Sequence, residues 1–117
     1  MNDFLLIFRR DMVTKELQPS PEEMQASVKR WQDWLGGIAA QGKMVSKPGR
    51  WDGVGKVVRP AVVTNGPYAE VKESIGGAII IRAEGYDEAT EIAKGCPILL
   101  WGGNVEIRMS VSPDESI

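Results

Sequence analysis

The chain has 117 residues, 43% of them hydrophobic and 26% charged, a composition that suits a single domain around one hydrophobic core. Its 14 basic and 16 acidic side chains leave a net charge of −2, which argues against non-specific nucleic-acid binding. It has no histidine and a single cysteine, Cys96, so Ser-His-Asp triads, Cys-His dyads, histidine-containing metal sites and an intrachain disulfide framework are all excluded.

No run reaches the roughly 20 apolar residues of a membrane span. Met1-Asn2-Asp3-Phe4 lacks a basic segment leading into an apolar one. The expectation is a cytoplasmic protein, one domain over residues 1–117 with a polar tail at 112–117, contacting neither membrane nor nucleic acid.

Phe4-Leu5-Leu6-Ile7-Phe8 predicts a buried strand, closed by the charges of Arg9-Arg10-Asp11, which read as surface residues. Ser20, Pro21 and Glu23 form a capping-box helix start. Met24, Val28, Trp31, Leu35 and Ile38 then recur at helical spacing, with Ser27 on the same stripe and Trp34 at its edge. Gly42 is the expected terminator. Lys43-Met44-Val45-Ser46 predicts a short strand, and residues 47–56 are rich in turn formers. Val57-Val58-Arg59 and Ala61-Val62-Val63-Thr64 are strand-like on either side of Pro60, which limits them to an edge, a bulge or two short strands.

Asn65-Gly66 suits a turn that needs positive φ, Pro67 fixes the next angle, and Val71–Ser74 is long enough for one helical turn. Gly77 to Ala83, with three consecutive isoleucines, is the strongest strand signal and predicts a central strand covered on both faces. Gly85 to Gly95 predicts the second helix, with Ala89, Ile92, Ala93 and Cys96 toward the core. Asn104 to Val111 alternates, Val105, Ile107, Met109 and Val111 inward and Glu106, Arg108 and Ser110 outward. Gly76-Gly77 and Gly102-Gly103 fit no phosphate-loop pattern and read as bulges or close backbone approaches.

The order strand, helix, strand, strand, helix, strand predicts an α+β fold: a ferredoxin-like βαββαβ sandwich with helices on one sheet face. The other face needs a cover, and a second copy of the chain is the simplest one.

Asn65-Gly66-Pro67-Tyr68-Ala69-Glu70-Val71-Lys72-Glu73 resembles the Asp-Gly-Pro-Phe-Ala-Glu-x-Lys-Glu signature of the DGPF branch of the YCII-related proteins. The flanks agree in order: Phe4–Phe8, Ser20–Glu23, Ile75–Ile81, Asp87-Glu88-Ala89, Lys94–Pro97 and Gly102–Arg108. The resemblance implies two sheets packed face to face in a homodimeric α/β barrel. It also implies a bacterial setting, often beside sigma-factor genes. Some relatives are thought to use a His-Asp pair, and one is a dehalogenase. That pair has no counterpart here, and Asn65 stands where the signature has aspartate.

For the loop 65–77 two readings stand side by side. In one it is architecture, with Glu70, Lys72 and Glu73 a solvated charged face. In the other it lines a pocket, Tyr68 supplying a ring and a hydroxyl, Glu70 a carboxylate able to act as a base, and Lys72 a cation for an anionic ligand. Arg50, Trp51 and Asp52 offer a second cation, ring and carboxylate suited to small-molecule recognition. Trp51 has the least structural reason to exist of the four tryptophans. Cys96, at a helix C-terminus, reads as a small buried hydrophobe. No cofactor or metal is expected. Three functions follow from this: a small-molecule binding or sensing dimer, a cofactor-free hydrolase or dehalogenase-like enzyme, and a purely structural or interaction dimer.

Overall fold

The computed structural model describes residues 1–11, 14, 18–46, 49, 51–52, 54–66 and 73–112. In chain order these form strand β1 (Asn2–Asp11), helix α1 (Pro21–Ala40), strands β2 (Gly55–Val58), β3 (Val63–Gly66) and β4 (Glu73–Ala83), helix α2 (Tyr86–Ala93), a 3-10 helix (Pro97–Trp101) and strand β5 (Asn104–Met109).

The main sheet has the order β4-β1-β5, antiparallel throughout. Residues 43–46 add a short fourth member on the free edge of β4, through an antiparallel Met44–Ile81 bridge. Val45 N–H donates to Ile80 O at 2.9 Å and Arg82 N–H to Lys43 O at 2.7 Å. The lateral order is therefore 43–46, β4, β1, β5, the ferredoxin-like arrangement. The β2–β3 hairpin is an insertion between the second and third members and forms its own two-stranded sheet.

One face of the sheet carries the core. Phe4, Leu6 and Phe8 of β1 and Ile79, Ile81 and Ala83 of β4 are buried against Ile38 of α1, Ala89 of α2, and Cys96 and Ile98 at the exit from α2. Trp31, Trp34, Leu35, Val105 and Ile107 pack around this cluster. Alternation puts Leu5, Ile7, Ala78 and Ile80 on the other face, where they are half-buried or exposed. The isoleucine strand is thus covered by its own chain on one face only.

α1 begins as its sequence dictates. Ser20 Oγ accepts from Glu23 N–H at 3.2 Å and Glu23 Oε1 accepts from Ser20 N–H at 3.0 Å. Gly42, at φ +69°, ends it. The apolar stripe is only half used. Met24 and Val28 are 44% and 52% exposed, contrary to the expected core role: α1 joins the core through Trp31, Trp34, Leu35 and Ile38.

Three further expectations change. Asn65-Gly66 is not a turn: both residues lie in β3, paired with Lys56 and Gly55, and among the described residues only Gly42 and Gly102 have positive φ. Gly66 is there for close approach, since a Cβ would lie 3.1 Å from the carbonyl carbon of Gly55. Glu73 and Ser74 open β4 instead of closing a helical turn, while Val71 and Lys72 lie outside the described residues. The pairing runs Phe8↔Gly77 and then Arg9↔Ile75, so Gly76 is the extra residue of a β-bulge. The bulge brings Ile75, 48% exposed, opposite Arg9 on the open face.

Candidate functional site

The C-terminal end of β1 and the N-terminal end of β4 meet where the Asn65–Glu73 motif feeds into the sheet. Phe8 sits at this end, ringed by α1. Its ring meets Trp31 edge-on at 5.1 Å and Trp34 at 5.7 Å, and the two indoles meet each other at 5.7 Å. These are the separations of attractive edge-to-face pairs.

Trp51 closes over the same place from the turn-rich segment. A Cβ built on Gly77 would lie 3.6 Å from both Phe8 Cδ2 and Trp51 Cδ1, so the Trp51 indole rests across β4 beside Phe8. It is nevertheless 65% exposed. The other tryptophans have structural partners. Trp34 Nε1 donates to Ile92 O at 3.0 Å, Trp101 Nε1 donates to Ser27 Oγ at 3.3 Å, and Trp31 packs on Phe8. Among the described residues Trp51 has no hydrogen bond and no ring partner of that kind.

Two positions beyond Phe8 on the same side of β1 comes Arg10, half-buried, whose Nη1 is shut off from solvent and finds no acceptor among the described residues. A buried guanidinium nitrogen without a partner is costly, and an anion would relieve it. Next to it Asp11 is occupied locally, accepting from Thr14 N–H at 2.9 Å and Thr14 Oγ1 at 2.6 Å. Arg9 faces the opposite side of the sheet. It pairs with Glu106, whose other oxygen accepts from Arg108 Nε at 2.5 Å. Hydrogen bonds from Arg108 and then Arg9 hold the Glu106 carboxyl below its usual range.

The Arg9-Arg10-Asp11 run is therefore not the simple surface charge expected. Adjacent strand residues point to opposite faces, so one arginine serves each side of the sheet. Two arginines directly after an apolar strand were a readable signal of that division.

The proposed binding residues divide as follows. Trp51 reaches the sheet end. Asp52 does not: it is exposed, and its Oδ1 accepts from Val54 N–H at 3.3 Å, a local turn contact. Arg50, Tyr68, Glu70 and Lys72 lie outside the described residues. Cys96 is buried, and burial pushes its thiol up to about 12, as expected of an inert residue. A shallow groove elsewhere, bordered by Arg30, Trp34, Lys94, Cys96 and Leu100, is wide open to solvent. Asp33 also borders it, and two of its charges are already engaged, Asp33 with Lys29 and Lys94 with Glu91.

Among the described residues no helix is long and apolar enough to cross a membrane. No curated protein matches the chain significantly in sequence. A solved structure, 5-chloro-2-hydroxyhydroquinone dehydrochlorinase from Burkholderia phenoliruptrix in complex with 2,5-dihydroxybenzoquinone, is similar over 97% of this chain and 99% of its own. The TM-score is 0.50 at 16% identity, a likeness of fold. The family model of the YCII-related domain matches residues 4–109, nearly the whole chain. The chain belongs to the YCII-related domain family.

Proposed function

We propose that this protein is a homodimeric binding module for a small, ring-shaped, negatively charged molecule, held at the sheet end under Trp51. The observation that carries the reading is the Trp51 indole, laid across Gly77 beside Phe8 yet 65% exposed. A large ring kept at the surface without a structural partner is how proteins present a stacking platform. Arg10, with a buried Nη1 that lacks an acceptor among the described residues, supplies the complementary charge on the same side of β1. Tyr68, Glu70 and Lys72, from the motif that ends at Glu73, complete the site in this reading, with Arg50 following from its place beside Trp51.

Binding is favoured over catalysis by what the chain lacks. Without histidine there is no imidazole base, and a buried thiol raised to about 12 is no nucleophile. A sensing role tied to sigma-factor regulation, which the DGPF resemblance implies, fits such a binder. The alternative is a cofactor-free, dehalogenase-like enzyme built on Glu70, Lys72 and Tyr68. The dehydrochlorinase fold neighbour agrees with that alternative, although 16% identity carries no activity across.

The dimer follows from the open sheet face. Leu5, Ile7, Ala78, Ile80 and Ile75 form an apolar strip there, bordered by the Arg9–Glu106–Arg108 cluster and by an Asp3–Arg82 pair at 3.6 Å. An apolar centre with a charged rim is the anatomy of a subunit interface.

The test is thermal shift with ring acids and their neutral analogues, 2,5-dihydroxybenzoquinone first. The binding reading expects stabilisation by charged rings, lost in Trp51→Ala and weakened in Arg10→Gln. Turnover of a chlorinated hydroquinone, abolished by Glu70→Gln or Lys72→Met, would instead establish the enzyme. Absence of any shift and any turnover would leave the interaction dimer.

A further inference from the structure

Gly77 stands in the interior of β4, at the head of the run Gly77-Ala78-Ile79-Ile80-Ile81, and pairs directly with Phe8 of β1. Glycine weakens a strand there, because it has no side chain to pack and more backbone entropy to lose. None of the usual structural reasons for a glycine applies. Its φ is not positive, a property that Gly42 and Gly102 alone have among the described residues. It is not the extra residue of the bulge, which is Gly76. No described backbone crowds it: an added Cβ would lie 3.6 Å from Phe8 Cδ2, 3.6 Å from Trp51 Cδ1 and 3.7 Å from Gly49 O, all ordinary contacts. Gly66 and Gly103 differ, with the same atom 3.1 Å from the carbonyl carbon of Gly55 and 2.5 Å from Arg9 O. An alanine fits at 77, and there it would lower the entropy of the unfolded chain without straining the strand.

The missing side chain leaves a notch of methyl size at the foot of Trp51. Three separate segments wall it: the Phe8 ring from β1, the edge of the Trp51 indole, and the Gly49 carbonyl. Two walls are apolar and the third is a hydrogen-bond acceptor. A hydroxyl oxygen seated at the Cβ point clears both rings, and a shift of about 1 Å brings it within hydrogen-bond distance of Gly49 O. A carboxylate in the same place would set its charge against the carbonyl oxygen, since both are acceptors only. Arg10, the cation of the site, lies two residues along β1 on the same side, about 7 Å from Phe8. The two ends of the site thus ask for different groups at opposite ends of one ring, a hydroxyl at Gly77 and an anion at Arg10.

We infer that Gly77 is the specificity-determining residue of the site: its notch selects ring anions that carry a hydroxyl opposite the charge. This inference rests on the proposed binding function and narrows its ligand class. A side chain at position 77 fills the notch and removes the selection while leaving the Trp51 platform and Arg10 in place.

The experiment is calorimetric titration of the full chain with benzoate, 4-hydroxybenzoate and 4-ethoxybenzoate, on wild type and Gly77→Ala, with melting temperatures recorded without ligand. Wild type is expected to bind 4-hydroxybenzoate roughly fivefold tighter than benzoate, the yield of one neutral hydrogen bond. It should bind 4-ethoxybenzoate more weakly than benzoate, because the ethyl group exceeds the notch. Gly77→Ala should melt no lower than wild type, still bind benzoate and lose the preference for the hydroxyl. A Gly77→Ala protein that keeps the preference overturns the notch and leaves the binding reading standing, and so does a wild type that binds all three acids equally. The comparison of the three acids on wild type holds whatever the variant does. A Gly77→Ala protein that melts several degrees lower overturns the notch as well, because the methyl then finds no space. If wild type binds none of the three, the notch falls, and 2,5-dihydroxybenzoquinone titrated alongside tells whether the binding reading falls with it.

Discussion

A Cβ built on Gly103 would lie 2.5 Å from the carbonyl oxygen of Arg9 and 2.6 Å from Ile98 Cγ1. The backbone of β5 enters the sheet against β1 at a point where no side chain fits. Gly103→Ala must push β5 away from Arg9, and the expected cost is about 2–4 kcal/mol, read from urea unfolding. Gly36 and Gly37 are the converse. They lie exposed near the C-terminal end of α1, with nothing within 4 Å of an added Cβ. Gly36→Ala is expected to stabilise by about 0.5–1 kcal/mol, because alanine loses less backbone entropy in a helix.

Cys96 is buried, with its thiol pushed up to about 12. The folded protein is expected to resist iodoacetamide at pH 8, while the urea-unfolded chain alkylates at the ordinary rate. The linkage sign follows. The raised folded value gives a contribution fully present below the unfolded thiol pKa and lost as pH rises from there toward 12. Cys96→Ala should therefore lose less stability than wild type between pH 8 and pH 10.5. Fast labelling of native protein would contradict the buried placement.

Glu106 holds two arginines, and its carboxyl is depressed by Arg108 first and Arg9 second. A depressed carboxylate contributes stability that is present above its unfolded pKa and disappears as pH falls through the lower folded value. Glu106→Gln is expected to flatten the loss of stability between pH 5 and pH 3, measured by urea midpoints. An identical acid slope in both proteins would show the cluster to be too screened to matter.

The fold was legible where local chemistry and tertiary packing agree. The Ser20 capping box, the Gly42 terminator and the alternation of Val105 and Ile107 with Glu106 each settle an element by themselves. Asn65-Gly66 was misread because the same dipeptide serves a tight turn or a close strand pair. The reciprocal turn at Arg59–Val62 had already reversed the chain. Met24 and Val28 keep helical period without burial, since periodicity marks a shared face and not what packs on it. At the site, Trp51 was legible as a ring with no structural task. Arg10 was read as surface charge although alternation already places it on Phe8's side of the sheet; only the packing shows that its Nη1 is shut off from solvent.

Trp51 carries the central claim, and ligand-dependent melting of wild type against Trp51→Ala tests it most directly. Both proteins should melt at the same temperature without ligand, because the exposed indole contributes little packing. With 2,5-dihydroxybenzoquinone or another ring acid in excess, wild type is expected to gain several degrees, from about 2–3 kcal/mol at a hundredfold excess over the dissociation constant. Trp51→Ala should gain none. Equal gains in the two proteins, or no gain in wild type with any charged ring, would contradict a binding platform at the end of this sheet.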